Sequence, residues 1–254
     1  ANNVKSYITL NTVLYDHDIN LMKSIVDAAK ANGIDAIIAS DHAAMNYAKK
    51  IGYPVHISTQ CNISNIDTVE FYANYADVMV MARELSLQQV GTISNEIERR
   101  DVRGPSGNLV EVEVFAHGAL CMAVSGKCYL SLHSHNSSAN RGACIQNCRR
   151  EYTVIDKEEG IELDIDNEYI MSAKDLTTID FLDKVLNAGV KVLKIEGRGR
   201  SADYVYTTVN CYREAVDSII EGTYTKEKIE IWKERLSTVY NRGFWDGYYL
   251  GRKM

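Results

Sequence analysis

Apolar runs of strand length alternate with helix-period segments along almost the whole chain, and this alternation limits the fold more than any other feature. Val4–Val13 reads as a strand, and Asp18–Asn32 as a helix with Leu21, Ile25 and Ala29 on one face. Ile34–Ser40, Val55–Gln60, Val78–Ala82 and Leu109–Phe115 repeat the strand signal. A helix opens near Asp41, Ser64 or Asn65 caps one that runs to Tyr75, and Ser86 caps a polar one that runs to Arg99. After a loop come strand Glu168–Met171, helix Thr178–Ala188, strand Val190–Ile195 and helices Ala202–Glu221 and Lys226–Asn241. Strand–helix units in this order imply a parallel sheet covered by helices, an α/β fold. The count is about seven strands with no dinucleotide-type glycine turn, so a TIM-barrel-like (β/α) barrel suits the pattern better than an open doubly wound sheet.

Polar side chains gather where such a barrel keeps its chemistry. Asn11, Ser40-Asp41-His42, Gln60, Arg83-Glu84, His117, Lys174-Asp175 and Glu196-Gly-Arg198 each fall at or just past the end of a predicted strand. In parallel barrels that edge carries the active site. Asp41 has a plainer role available as a helix cap, and Glu196 can pair with Arg198 or Lys174 and only hold the rim together. Arg198 can also clamp a carboxylate or phosphate with two parallel hydrogen bonds.

Six cysteines occur, and Cys121, Cys128, Cys144 and Cys148 fall within one loop region. Soft thiolates suit an iron–sulfur cluster or zinc, and four complete either site. Cys144 and Cys148 stand one helical turn apart, while the Cys-x-x-Cys spacing common in zinc knuckles is absent. The plain alternative is a set of inert, buried thiols. His117 lies shortly before Cys121, where it can orient a ligand, donate a proton or fill the loop core. His133 and His135 sit between the cysteine pairs. Cys61 and Cys211 read as packed residues.

The 254 residues hold no apolar run long enough to span a membrane, and the first residues show no basic-then-apolar leader, so a cytoplasmic protein with reduced thiols is expected. A net charge of −6 disfavours nucleic-acid binding by the whole surface. Arg141, Arg149, Arg150, Arg198 and Arg200 nevertheless concentrate positive charge near the proposed rim, where a phosphate backbone or an acidic cosubstrate fits. Gly-x-Ser-x-Gly elbows, His-Glu-x-x-His zinc helices and glycine-rich phosphate loops are all missing.

Glu113-Val-Phe115-Ala-His117-Gly118-Ala-Leu-Cys121, followed after four residues by Gly126-Lys-Cys128-Tyr-Leu-Ser131, resembles the signature of the peptidase U32 family at every fixed position. Leu10–Asp16, Ser58–Gln60, Ala82–Ser86, Tyr169–Leu176 and Leu193–Arg198 resemble the same family in collinear order. The resemblance implies one U32-type domain over residues 1–254 with a cysteine-rich insertion at about 117–150. Members carry strand–helix units ahead of the Leu-Asn-Thr segment, and many carry a small C-terminal β-domain, so an incomplete barrel is expected. The resemblance further implies a [4Fe-4S] cluster on Cys121, Cys128, Cys144 and Cys148, with zinc as the alternative metal. Some relatives have a cysteine where this chain has Thr177, which favours Cys148 as fourth ligand.

By the same resemblance the expected activity is hydroxylation of an RNA base, most simply tRNA uridine, with an oxygen donor linked to an anionic cosubstrate such as prephenate. His117, Lys174, Glu196 and Arg198 are the expected catalytic residues; Asn11, His42, Gln60, Arg83 and Arg141 are expected to bind substrate. The family label keeps a collagenase-like protease open, and a zinc-stabilised binding subunit with a second chain as partner is the third reading. If the four cysteines are co-ligands, their sulfurs must converge within roughly 7 Å of one another at the rim.

Overall fold

A computed structural model describes residues 4–150, 153–163 and 174–251. The expected strand Glu168–Met171 lies outside these residues. The first half follows the predicted alternation: β1 Tyr7–Leu10, α1 Ile19–Ala31, β2 Ala36–Ala39, α2 His42–Lys50, β3 Val55–Ile57, α3 Ile66–Ala73, β4 Val78–Val80, α4 Leu87–Arg99 and β5 Glu111–Gly118. Three of these helix starts have a local cause. Asp41 accepts the Ala43 N–H at 2.8 Å and Asn65 accepts the Thr68 N–H at 2.9 Å. Ser86 and Gln89 cap α4 reciprocally. These side chains satisfy N–H groups that the first helical turn leaves unpaired.

Strands β1 to β5 pair in sequential order, all parallel. Ile37, Ile57 and Met79 on the strands are fully buried, as are Val26, Met45 and Val69 on the covering helices. Burying both faces of a strand is what produced its short uninterrupted apolar run in the sequence.

The second half departs from the expected parallel pattern. The chain leaves β5 and forms the short α5 Leu130–His135 and the two-stranded hairpin β6 Val154–Ile155 with β7 Glu162–Leu163. It then re-enters the sheet as β8 Asp175–Thr177, antiparallel to β5. A segment that leaves and returns at the same edge has no crossover to carry it to the far end, so its next strand runs the opposite way. α6 Leu182–Asn187 and β9 Val192–Ile195 follow, and β9 pairs parallel with β5 across an irregularity between Phe115 and His117. α7 Ala202–Ile220, α8 Lys226–Ser237 and β10 Phe244–Trp245, parallel to β8, complete the described chain. The result is a mixed, mainly parallel eight-stranded sheet in the order β1-β2-β3-β4-β5-β8-β10, with β9 paired to β5 off this path among the described residues.

The expected helix Thr178–Ala188 shortens because Thr178 to Phe181 forms a turn. Among the described residues no helix is long and apolar enough to cross a membrane.

Candidate functional site

At the C-terminal ends of β1 to β3, short polar side chains knit three loops together. Asn11 directly follows β1; its Nδ2 donates to Ser58 Oγ at 3.1 Å, and its carbonyl accepts from Ser40 Oγ at 2.9 Å. Ser58 Oγ accepts the Gln60 N–H at 3.3 Å and caps a single 3₁₀ turn, Thr59–Cys61. Asn11 and Gln60 are thereby brought together, as expected. Asp41 is committed to its helix and to the Leu14 N–H at 3.2 Å, which is the capping role. His42 is not part of this group: its ring lies 6.2 Å from Phe71 and 6.3 Å from Tyr72, on α3.

The cysteine segment is draped over this edge by two sets of ties. Asn62 Nδ2 donates to Ser125 O at 2.9 Å, and a Cβ at Gly126 would come 3.4 Å from Gln60. Further along, Val13 N–H donates to Asn140 O at 3.0 Å. Arg141 grips Asp18 through Nη1 at 2.7 Å and Nη2 at 3.4 Å, and its guanidinium lies 4.1 Å from the Tyr15 ring centre. The Arg141 bonds hold the Asp18 carboxyl down at about 2. Arg141, expected to bind substrate, ties the insertion to the loop after β1. Within the segment, Ser131 Oγ accepts the Ile145 N–H at 3.2 Å, and Ser137 Oγ donates to Ala143 O at 2.8 Å. These bonds lay the stretch after Cys128 beside the stretch around Cys144. His133 and His135 end α5, and His135 Nδ1 is 2.8 Å from Ser134 Oγ.

All four loop cysteines are free thiols, Cys121 and Cys144 exposed and Cys128 and Cys148 partly buried. Burial pushes the Cys148 thiol up; the charge of Arg149 opposes this, and those of Cys121, Cys144 and Cys128 add to it. Among the described residues no three cysteine, histidine or carboxylate groups already stand at ligating separations. Four free thiols on one segment are a donor set whose chemistry suits a tetrathiolate metal or cluster. Thr177 points elsewhere, its Oγ1 3.4 Å from Tyr212 Oη. Cys211 is buried in α7, and Cys61 is held near Ser40 O at 3.7 Å.

Around the end of β5 the predicted acid–base residues separate. His117 is 1% exposed, with Nδ1 3.3 Å from Tyr212 Oη and its ring among Tyr204, Tyr212 and Phe244. Desolvation pushes it down to about 4, with Asp175 opposing, so the ring is neutral near pH 7. No hydrogen bond joins it to a cysteine among the described residues. Gly118 has φ 103°, and a Cβ there would come 2.6 Å from Glu196 O and 2.9 Å from Tyr204 Oη, so only glycine allows β5 to meet the end of β9. Glu196 Oε1 accepts the Arg198 N–H at 2.9 Å, a local turn rather than an ion pair. Arg198 and Lys174 are exposed.

Arg242 and Lys194 at this edge were not singled out by the sequence, while Asp175, Arg200, Arg83 and Glu113 were named there. Asp175 is 1% exposed and accepts from Arg242 Nε at 3.1 Å, while Arg200 Nη2 lies 3.7 Å from its other oxygen. The position of Asp175 beside Lys174 hinted at a role; nothing about Arg242 did. Arg83 lies 4.4 Å from the Phe115 ring centre, and its buried Nε has no hydrogen-bond partner among the described residues. Desolvation lowers its pKa, opposed most by the charges of Cys121 and Glu196. Lys194 pairs with the buried Glu113 at 2.8 Å beside the same ring.

Known proteins resemble this chain over nearly all its length. It is 62% identical over 251 residues to a protein named collagenase from Porphyromonas gingivalis, covering 99% of this chain and 61% of that protein. It is 33% identical over 263 residues to tRNA hydroxylation protein P of Helicobacter pylori, covering 99% of this chain and 59% of that one. It is 34% identical over 221 residues to the 23S rRNA 5-hydroxycytidine C2501 synthase of Escherichia coli, covering 85% of this chain and 31% of the synthase. The chain thus spans roughly three fifths or less of the length of these relatives. No solved structure gives a significant match. The model of Peptidase family U32 matches residues 1–254 from end to end, and with the glycine-tipped strand and the cysteine segment described above it shows that this chain belongs to the peptidase U32 family.

Proposed function

We propose that the chain hydroxylates an RNA base, uridine in tRNA first of all, with a [4Fe-4S] cluster held by Cys121, Cys128, Cys144 and Cys148. The observation that carries this reading is that four free thiols lie on one segment, which Asn62 and Arg141 tie over the strand ends. Relatives named for tRNA and rRNA hydroxylation at 33% and 34% identity support it. When bound, the cluster supplies one-electron redox chemistry.

The chain's own residues supply the rest. Asn11, Ser58 and Gln60 offer amide and hydroxyl groups suited to the edges of a base. Exposed Lys174 and Arg198 attract phosphate or a small acid of the prephenate kind. Glu196 presents a carboxylate at the rim that can hold a proton, whereas neutral, buried His117 keeps Tyr212 in place instead of exchanging protons. This reading puts the protein in the cytoplasm with its RNA.

Anaerobic purification with iron and sulfide analysis, joined to nucleoside mass spectrometry of tRNA from a deletion strain, tests the proposal. Wild type should bring back hydroxylated uridine and Cys148→Ser should not. Colourless, iron-free protein after reconstitution, or equal complementation by both, would overturn it.

The 62% identity to a protein named collagenase favours a second reading, a thiol protease. Such an enzyme needs a cysteine activated by a base. The geometry around His117 speaks against it, since that ring is spent on Tyr212. Gelatin and casein cleavage that survives chelation, and is lost in only one of Cys121→Ala and Cys144→Ala, would favour the protease.

A further inference from the structure

A buried carboxylate behind the rim holds two arginines, and one of them belongs to the loop that carries Arg198. Asp175 Oδ1 accepts from Nε and Nη2 of Arg242, the former at 3.1 Å, and Arg200 Nη2 lies 3.7 Å from Oδ2. The Asp175 side chain is 1% exposed, that of Arg242 5% and that of Arg200 14%. The Arg200 guanidinium also lies 4.1 Å from the Tyr240 ring centre and 5.5 Å from that of Tyr204. Charges taken out of water in this way are often no more stabilising than well-packed apolar residues of the same volume. What such a cluster supplies is fixed geometry, because each guanidinium has a definite place around the carboxylate.

The loop from β9 to α7 is pinned at both ends. At its start Glu196 N–H donates to His117 O at 2.9 Å, and Tyr204 Oη donates to Glu196 O at 3.3 Å. At its far end Arg200 is held by Asp175 and Tyr240, and Ser201 Oγ caps α7 by accepting the Tyr204 N–H at 3.2 Å. Between these anchors Arg200 N–H donates to Gly197 O at 3.0 Å, closing a turn whose tip, Arg198-Gly199, is exposed. An exposed side chain on so short a tip takes its position from the residues that anchor the turn, here Glu196 and Arg200.

We propose that Asp175 is the positioning residue for Arg198: through Arg200 it fixes the turn, so that Arg198 meets a phosphate of bound RNA at a set place. This rests on the reading of the chain as an RNA-modifying enzyme whose exposed Arg198 attracts phosphate. A tip standing in solvent suits an extended polyanion, whereas a small acid is held by enclosure. Asp175 acts from behind the contact and touches no RNA itself.

Charge and placement predict opposite signs for one substitution. Asp175→Asn removes a negative charge near the rim, so electrostatics alone would tighten RNA binding, while loss of placement would weaken it. The probe is an unmodified tRNA transcript, titrated with the whole chain over a range of salt. Arg198→Gln should weaken binding and lower the slope of log affinity against log salt by about one. Asp175→Asn should reproduce most of that loss with Arg198 still present. The double variant should bind no more weakly than Arg198→Gln alone, which a general structural role would not produce. Asp217→Asn, the same charge change on the exposed face of α7, should shift affinity less than about twofold. Amide exchange at 197–201 should quicken in Asp175→Asn while β2 and β3 stay protected. Circular dichroism identifies a variant that misfolds, and Arg200→Gln with its own Arg198→Gln double then carries both measurements.

Unaltered exchange at 197–201 in folded Asp175→Asn would overturn the proposal. Tighter tRNA binding by that variant, or losses that simply add in the double variant, would do the same. Arg198→Gln binding tRNA as well as wild type would overturn the phosphate contact, and loss of malonate binding in that variant would assign the tip to a small acid instead. Weakened, non-additive tRNA binding in a protein that modifies no uridine would uphold this inference and remove the hydroxylation reading.

Discussion

The β1–β4 half and the cysteine segment are held together in opposite ways. In the first, strand order follows chain order, and buried side chains such as Ile37, Ile57 and Met79 lock the sheet to its helices. In the second, Met122, Val124, Tyr129 and Ile145 are exposed, and regular structure is limited to α5 and single 3₁₀ turns. The segment keeps its place through a few polar ties, chiefly Asn62 to Ser125 and Arg141 to Asp18. Hydrophobic burial builds the platform, and directional bonds aim the chemistry over it. Damage to the first should cost stability, and damage to the second should cost placement.

Ile57→Ala is the strongest challenge to that contrast. It empties a fully buried position in the sheet. Urea unfolding should show a loss of roughly 2–5 kcal/mol, from lost transfer energy and the cavity left behind. A loss below about 1 kcal/mol would mean that the sheet is not the stable half.

His117 tests the boundary between the halves through pH. Its folded-state value of about 4 lies below the ordinary 6.5, so the unfolded chain takes up the proton first as pH falls. The stability from keeping the ring neutral is therefore complete above pH 6.5 and is lost progressively as pH falls to about 4. Unfolding midpoints should drop over that window in wild type, and His117→Phe should flatten the slope. An unchanged slope would place the ring in solvent.

Arg141→Ala has the smallest expected effect on global stability, because exposed and half-exposed ion pairs contribute little. Its signature is local. Amide exchange should quicken at Val13 and around 139–142 while β2 and β3 stay protected. The substitution should also remove the acid-limb contribution of Asp18, which in wild type is present above 3.8 and lost as pH falls towards 2. Unaltered exchange at 139–142 would show that other contacts hold the insertion.

Legibility divides along the same line. Asn65 and Ser86 were readable as caps, and the apolar runs of β2 and β4 as buried strands, because each depends on neighbours a few positions away. The place of Asn11 and Gln60 at one edge was readable from their shared position after strands. The role of Arg141 was not, since its partner Asp18 is 123 positions away. The reversed direction of β8 was equally hidden, being a consequence of where the loop before it re-enters.

By itself the sequence determined the α/β alternation, the helix caps, the buried strands and the set of thiols, all of which follow from periodicity and side-chain chemistry at short range. Only the tertiary structure decided that His117 is buried and neutral, that Asp175 joins Arg242, and that Arg141 ties the cysteine segment to Asp18. Those outcomes turn on which loops close over which strand ends, and so on desolvation and distances that no local pattern encodes.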